Sequence, residues 1–121
     1  MTMEECYQKL DGNYREVTAR IPSPGLVEKF VGKFLEDKSF ETLCTAIEVG
    51  DREGAFRAAH TLKGVCANLS FTRLMGSASR LTETLRLQTD AALAEASPLM
   101  TEVRQDYQLT VRSIQEYMDR G

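Results

Sequence analysis

Residues 58–69 read Ala58-Ala59-His60-Thr61-Leu62-Lys63-Gly64-Val65-Cys66-Ala67-Asn68-Leu69. Wound at about 100° per residue, this run separates into two stripes. Ala55, Ala59, Leu62, Cys66 and Leu69 share an apolar one; His60, Lys63, Gly64 and Ala67 recur at i, i+3, i+4 and i+7 on another. The pattern predicts a helix that buries its first stripe and turns the chain's single histidine outward, with a cation one turn away and two very small residues beside it.

The same period extends outward in both directions. Asp51 is an N-cap for a helix over residues 52–69, and Gly50 closes the one before it, over 39–49, where Ser39 is the expected cap and Phe40, Leu43, Cys44 and Ile47 form the apolar face. Upstream, Ser23-Pro24 reads as cap and first helical position of a helix over 24–36, carrying Leu26, Val27, Phe30, Val31, Phe34 and Leu35. Phe30, Phe34 and Phe40 are all assigned to the core. Downstream, Thr72 is the expected cap of a helix over 72–88 bearing Leu74, Ala78, Leu81 and Leu85, and Gln88-Thr89-Asp90 marks the next junction. The last helix spans about 90–119 with Leu93, Ala96, Met100, Val103, Tyr107, Val111, Ile114 and Met118 in phase across Pro98. It is either one helix kinked at that proline or a restart capped by Ser97. Before Pro22, residues 3–10 read as a short helix, Asp11-Gly12-Asn13 as a turn and residues 14–21 as a further turn or two. No useful length shows strand-like alternation. The expected fold is all-α: an antiparallel up-down four-helix bundle over 24–119, with a short extra helix in an N-terminal segment (1–22), the whole 1–121 forming one domain.

Composition narrows the function classes. The 121 residues are 42% hydrophobic and 27% charged, an ordinary globular mixture. A net charge of −3 argues against a nucleic-acid binder, because phosphate contacts dominate that affinity. No run approaches the length of a membrane span, and the acidic start Met1-Thr2-Met3-Glu4-Glu5 lacks the layout of a secretory signal, so a cytoplasmic location is the expectation. Cys6, Cys44 and Cys66 form no C-x-x-C pair, and one histidine is too few for an ordinary zinc site; all three read as buried or half-buried thiols, and no metal site is expected. There is no Walker-type or glycine-rich kinase box, so no use of ATP is expected.

The outward stripe has a chemistry of its own. Free imidazole has a pKa of about 6.5, so an unprotonated, nucleophilic ring is accessible at neutral pH. A cation such as Lys63 stabilises an added phosphoryl charge. Glycine in the middle of a strong helix costs about 1 kcal/mol against alanine, and close approach of a partner is a reason to keep it there. With its flanks, Ala58-Ala59-His60-Thr61-Leu62-Lys63-Gly64 followed by Ala67-Asn68-Leu69 resembles the signature of histidine phosphotransfer (HPt) domains, and the likeness extends over about residues 26–117. The resemblance implies a four-helix bundle in which His60 is the phosphoacceptor, Lys63 assists the phosphoryl group and Gly64 opens the surface to a partner, with Ala67 on the same access surface. It implies response-regulator receiver domains and a hybrid histidine kinase as partners, Mg²⁺ held by the receiver, and a phosphocarrier in place of a stand-alone enzyme. The chain departs from the pattern at Ala67 and Ser70, where many members have glycine, and at the bulkier Val65-Cys66.

Rival readings rest on the same residues. A helical docking module that binds a receiver or kinase without carrying phosphate shares the fold. A hydrolase using His60 as general base fails for want of a second histidine or a positioned nucleophile. Arg57, Arg73 and Arg80 belong either to a partner surface or to an ordinary solvated face.

Overall fold

The computed structural model describes residues 1–89 and 91–120. Among them are seven helices and no strand: α1 (Met3–Leu10), α2 (Tyr14–Arg20), α3 (Pro24–Phe34), α4 (Ser39–Glu48), α5 (Arg52–Leu69), α6 (Thr72–Arg86) and α7 (Ala92–Met118). None is long and apolar enough to cross a membrane.

Local chemistry accounts for most of the boundaries. Thr2 and Glu5 form a reciprocal capping box at α1; the side chains of Asn13, Ser23 and Asp51 accept the N–H of Glu16, Leu26 and Gly54 at α2, α3 and α5. Asp11 and Ser70 close α1 and α5 in the left-handed conformation. Two expected caps are corrected. Ser39 and Thr72 are the first helical residues of α4 and α6, and the cap positions fall to Lys38 and Phe71, neither of which supplies a side-chain cap bond. At α4 the Asp37 carboxylate accepts the Ser39 N–H at 2.9 Å and takes over that role. At α6 Phe71 is fully buried, and core packing fixes the start of the helix. α3 stops at Phe34 and α6 at Arg86, each two residues short of expectation; Asp90 of the junction lies outside the described residues. α7 runs unbroken through Pro98. Pro98 and Ala94, whose carbonyl loses its N–H partner, are both exposed, so the break in the ladder falls on the solvent side of α7 while Ala92, Ala96 and Met100 hold the buried face.

α5 packs against both α4 and α6, and α6 against α7. The Arg52 guanidinium donates to the Leu85 carbonyl at 2.6 Å, pairing the start of α5 with the end of α6. Arg73 meets Asp106 at 2.9 Å, and Arg80 pairs with Glu102, so α6 and α7 run antiparallel. Phe40 of α4 stacks on Tyr107 of α7 at 3.9 Å, which brings these four helices round a shared core of Leu43, Leu62, Leu74, Leu81, Leu85 and Ile114. α3 adds Val27, Val31 and Phe34 to it, the last edge-on to Phe71 at 5.1 Å. Phe30 (39% exposed) is not core as expected, and Leu26 one turn earlier is exposed too (45%): α3 buries only its i, i+4, i+7 stripe, and these two point off it. Phe40 is only partly buried. Buried hydroxyls of Ser77, Thr82, Thr110 and Ser113 each bond a carbonyl one turn earlier, and among the described residues no buried side-chain polar atom lacks a partner.

The N-terminal segment is two helices with a definite task. α1 lies on α7 through Cys6, whose thiol reaches the Ser113 carbonyl, and through the Lys9–Glu116 ion pair. From that platform the segment caps the C-terminal end of α5. The Tyr7 hydroxyl donates to the Leu69 carbonyl at 2.6 Å, the Asn13 N–H to the Ser70 carbonyl at 2.8 Å, and Arg20 Nη2 to the carbonyls of Ala67 and Asn68, both at 2.8 Å. Gly12 makes the approach possible: a Cβ there would sit 2.8 Å from the Ser70 oxygen and from the Tyr7 and Leu10 side chains. A cation at the negative end of the helix dipole adds to the hydrogen bonds. Arg20→Ala is expected to lower the free energy of unfolding by about 1–2 kcal/mol, read from the urea midpoint.

Burial, with a further contribution from Glu116, pushes the Cys6 thiol from 9.0 up to about 11. The folded state therefore holds this proton more tightly than the unfolded chain. Its contribution to stability is complete below about pH 9 and is lost as pH rises through about 11. Between pH 8 and 11 the urea midpoint of the native chain is expected to fall relative to that of Cys6→Ala; parallel curves would contradict this.

Candidate functional site

The site is built on α5. Ala55, Ala59, Leu62 and Cys66 are fully buried and Leu69 nearly so, which sets the rotation of the helix. On the opposite side His60, Gly64 and Ala67 are solvent-facing and Lys63 is half-buried, so the four residues read from the sequence as one stripe do stand together. An added Cβ at Gly64 would meet nothing within 4 Å. This glycine serves no packing contact inside the chain; it leaves a low place on the surface one turn beyond the imidazole.

Two depressions flank the stripe. A groove of about 830 Å³ between α4 and α5 is lined by Lys38, Glu41, Thr42, Thr45, Arg57 and Thr61, among others, and so reaches the neighbours of His60. A cleft of about 340 Å³ between α3 and the second half of α5 is lined by Phe30, Lys33, Val65 and Leu69, and Ile21 closes its edge.

Three side chains in a series that starts at His60 escaped the sequence reading. Phe56, one turn earlier on α5, lies nearly parallel to the imidazole, with the planes 14° apart and the centroids 6.1 Å apart. The Arg86 guanidinium of α6 sits over that phenyl ring, 5.1 Å from its centroid. Glu83 grips Arg86 with both carboxylate oxygens, at 3.3 and 3.2 Å. Those bonds, and then the Arg86 charge, hold the Glu83 carboxyl below the usual carboxylate range; Lys63 and His60 in its charged form pull the same way more weakly. The i−4 position of Phe56 is legible in principle, since the helix period runs backward from His60 as well as forward. Glu83 and Arg86 required the register of α6 on α5.

Of the other candidates, Arg57 is tied to Glu53 in its own helix, and Arg73 and Arg80 serve the α6–α7 seam, which removes the latter two from the surface around His60. Cys66 is buried on the far stripe, and burial, with Asp37 adding to it, pushes its thiol far above the ordinary range, so it offers no nucleophile. Among the described residues no group of three His, Cys, Asp or Glu side chains is placed to hold a metal ion.

The helix that carries the exposed imidazole lies inside a segment that a family comparison matches. The family model for the Hpt domain matches residues 26–113. The chain belongs to the Hpt family. Its role is therefore phosphotransfer in two-component signalling, and Hpt domains interact with receiver domains and kinases in phosphorelays. A search of curated proteins and a search of solved structures each return no match. The matched segment starts after α2, so the two helices that cap α5 lie outside the family pattern.

Because the space above Gly64 is empty, Gly64→Ala is expected to raise the free energy of unfolding by about 0.5–1 kcal/mol through helix propensity alone. A urea titration checks it, and a loss of stability would show that this position is under packing constraint.

Proposed function

We propose that this Hpt domain is a phosphorelay intermediate in which His60 accepts a phosphoryl group from the aspartate of one response-regulator receiver and passes it to another. The observation that carries the reading is the outward stripe of α5: an exposed imidazole with Lys63 at i+3 and unfilled space above Gly64 at i+4.

The chemistry needs little from this chain beyond presentation. One unprotonated ring nitrogen attacks phosphorus. The new N–P bond forms as the P–O bond to the receiver's aspartate breaks, and that carboxylate leaves with the bonding electrons. The second ring nitrogen keeps its proton, so the product is a phosphoimidazolium and total charge is conserved. Lys63 offsets charge on the transferred group. Mg²⁺, in this reading, belongs to the receiver and not to the Hpt domain. The step is reversible, and direction follows which receiver is phosphorylated; a hybrid histidine kinase is the upstream source. The receiver would close over the stripe and its two flanking depressions, where the half-exposed Phe30 offers apolar contact. Transient contacts of this kind are small. The setting is cytoplasmic, and no ATP is consumed by this chain.

The test is transfer from a receiver charged with acetyl phosphate, followed by intact mass. The native protein is expected to gain one phosphoryl group that is acid-labile and alkali-stable. His60→Gln should gain none while keeping its helical circular dichroism, and Lys63→Ala should slow uptake on the order of tenfold without unfolding. Stable complex formation with no added mass would favour the docking-module alternative. Phosphate on His60→Gln would move the acceptor elsewhere.

A further inference from the structure

The side chains on the α6 flank of His60 form a series across two helices: imidazole, phenyl ring, guanidinium, carboxylate. The centroid separation of His60 and Phe56, 6.1 Å with nearly parallel planes, lies in the range of offset aromatic pairs. Arg86 over Phe56 at 5.1 Å is a cation–π contact. Arg86 is about half exposed, so nothing in the core fixes it; its place is set by Phe56 beneath and by the two bonds from Glu83.

We propose that Glu83 is a positioning residue that sets how readily His60 takes up and gives away a phosphoryl group, by holding Arg86 on Phe56 and by keeping a carboxylate at the far end of the series that begins at the acceptor. This rests on His60 being the acceptor. A phosphoryl group brings nearly two negative charges to the ring. Lys63 and Arg86 attract it, and Glu83 opposes it twice. Its own charge repels the incoming group, and Arg86 can turn to the phosphoryl oxygens only by giving up its fork with Glu83. The acceptor thus carries a built-in penalty on its loaded state. A phosphohistidine destabilised in this way is a better donor to the next receiver.

Phosphoramidate, an anionic donor that needs no partner protein, isolates the effect. A ring nitrogen of His60 attacks phosphorus, the N–P bond to the ring forms as the P–N bond to ammonia breaks, and ammonia departs with the electron pair. At low ionic strength Glu83→Gln is expected to take up phosphoryl about two- to fivefold faster than the native chain, the range an exposed charge pair supports. Arg86→Gln should be slower by a similar factor. The gain should largely vanish in about 0.5 M salt, where screening acts within a few ångströms. Glu4→Gln on α1 makes the same change in net charge far from the stripe and should match the native rate. Salt dependence is the readout that a purely structural role for Glu83 would not move. Uptake by the native chain with no change in Glu83→Gln, a gain that survives salt, or an equal gain in Glu4→Gln overturns the inference while leaving the carrier reading intact. A native chain that takes no phosphoryl group from either phosphoramidate or a charged receiver overturns both.

Discussion

The rotation of α5 about its own axis is the constraint everything else serves. Its buried stripe is made largely of small side chains, with Ala55 and Ala59 at zero exposure and Ala58 nearly so, which lets α4 and α6 pack closely on either side of it. Leu62, Cys66 and Leu69 then lock the phase by filling the core. A turn of one residue, about 100°, would carry Lys63 toward that core and Leu62 toward water. The apolar area misplaced, and the charge buried, would both be opposed by kilocalories. The outward presentation of His60 is therefore a consequence of where alanine and leucine stand, and His60 itself contributes nothing to holding it there.

That division explains what the sequence disclosed. Periodicity reports which face of a helix is buried, so the helical class, the α5 stripe and the buried thiols Cys6 and Cys66 could all be read, as could the side-chain caps at Ser23 and Asp51. It reports less well on how completely a face is covered. α3 carries more apolar residues than its neighbours can bury, and Leu26 and Phe30 are left at the surface. Caps at Ser39 and Thr72 failed for a related reason: Asp37 and the buried Phe71, each just outside the expected pattern, fixed the helix starts. Pro98 could not be settled from propensity, because the outcome depends on whether the freed carbonyl meets water or protein.

Within the site, the residues on α5 were legible and those on α6 were not. His60, Lys63, Gly64 and Ala67 are related by the helix period alone. Glu83 and Arg86 join the series from His60 through the packing of α6 on α5, in which Arg52 reaches the Leu85 carbonyl and pairs the start of α5 with the end of α6. No spacing in a single helix encodes that alignment. It is a property of two helices and the short connection between them, and it adds a second helix's carboxylate to the series that begins at His60.

The departure at Ser70 and the unmatched N-terminus are one arrangement. Ser70 closes α5 at φ +56°, a conformation that suits glycine and costs other residues about 1–2 kcal/mol. A glycine there would relieve the strain but would lack the hydroxyl. In this chain the hydroxyl donates to Glu16 at 2.7 Å and accepts from Arg20 at 2.6 Å, while the Ser70 carbonyl takes the Asn13 N–H. α2 is thereby tied to the end of α5, and the same Arg20 reaches the carbonyls of Ala67 and Asn68. Ala67 lies exposed at that end of the His60 stripe. The strained serine is thus the anchor for two helices that lie outside the Hpt pattern, and what it loses in backbone comfort is offset by fixing the C-terminal half of the helix that presents the imidazole.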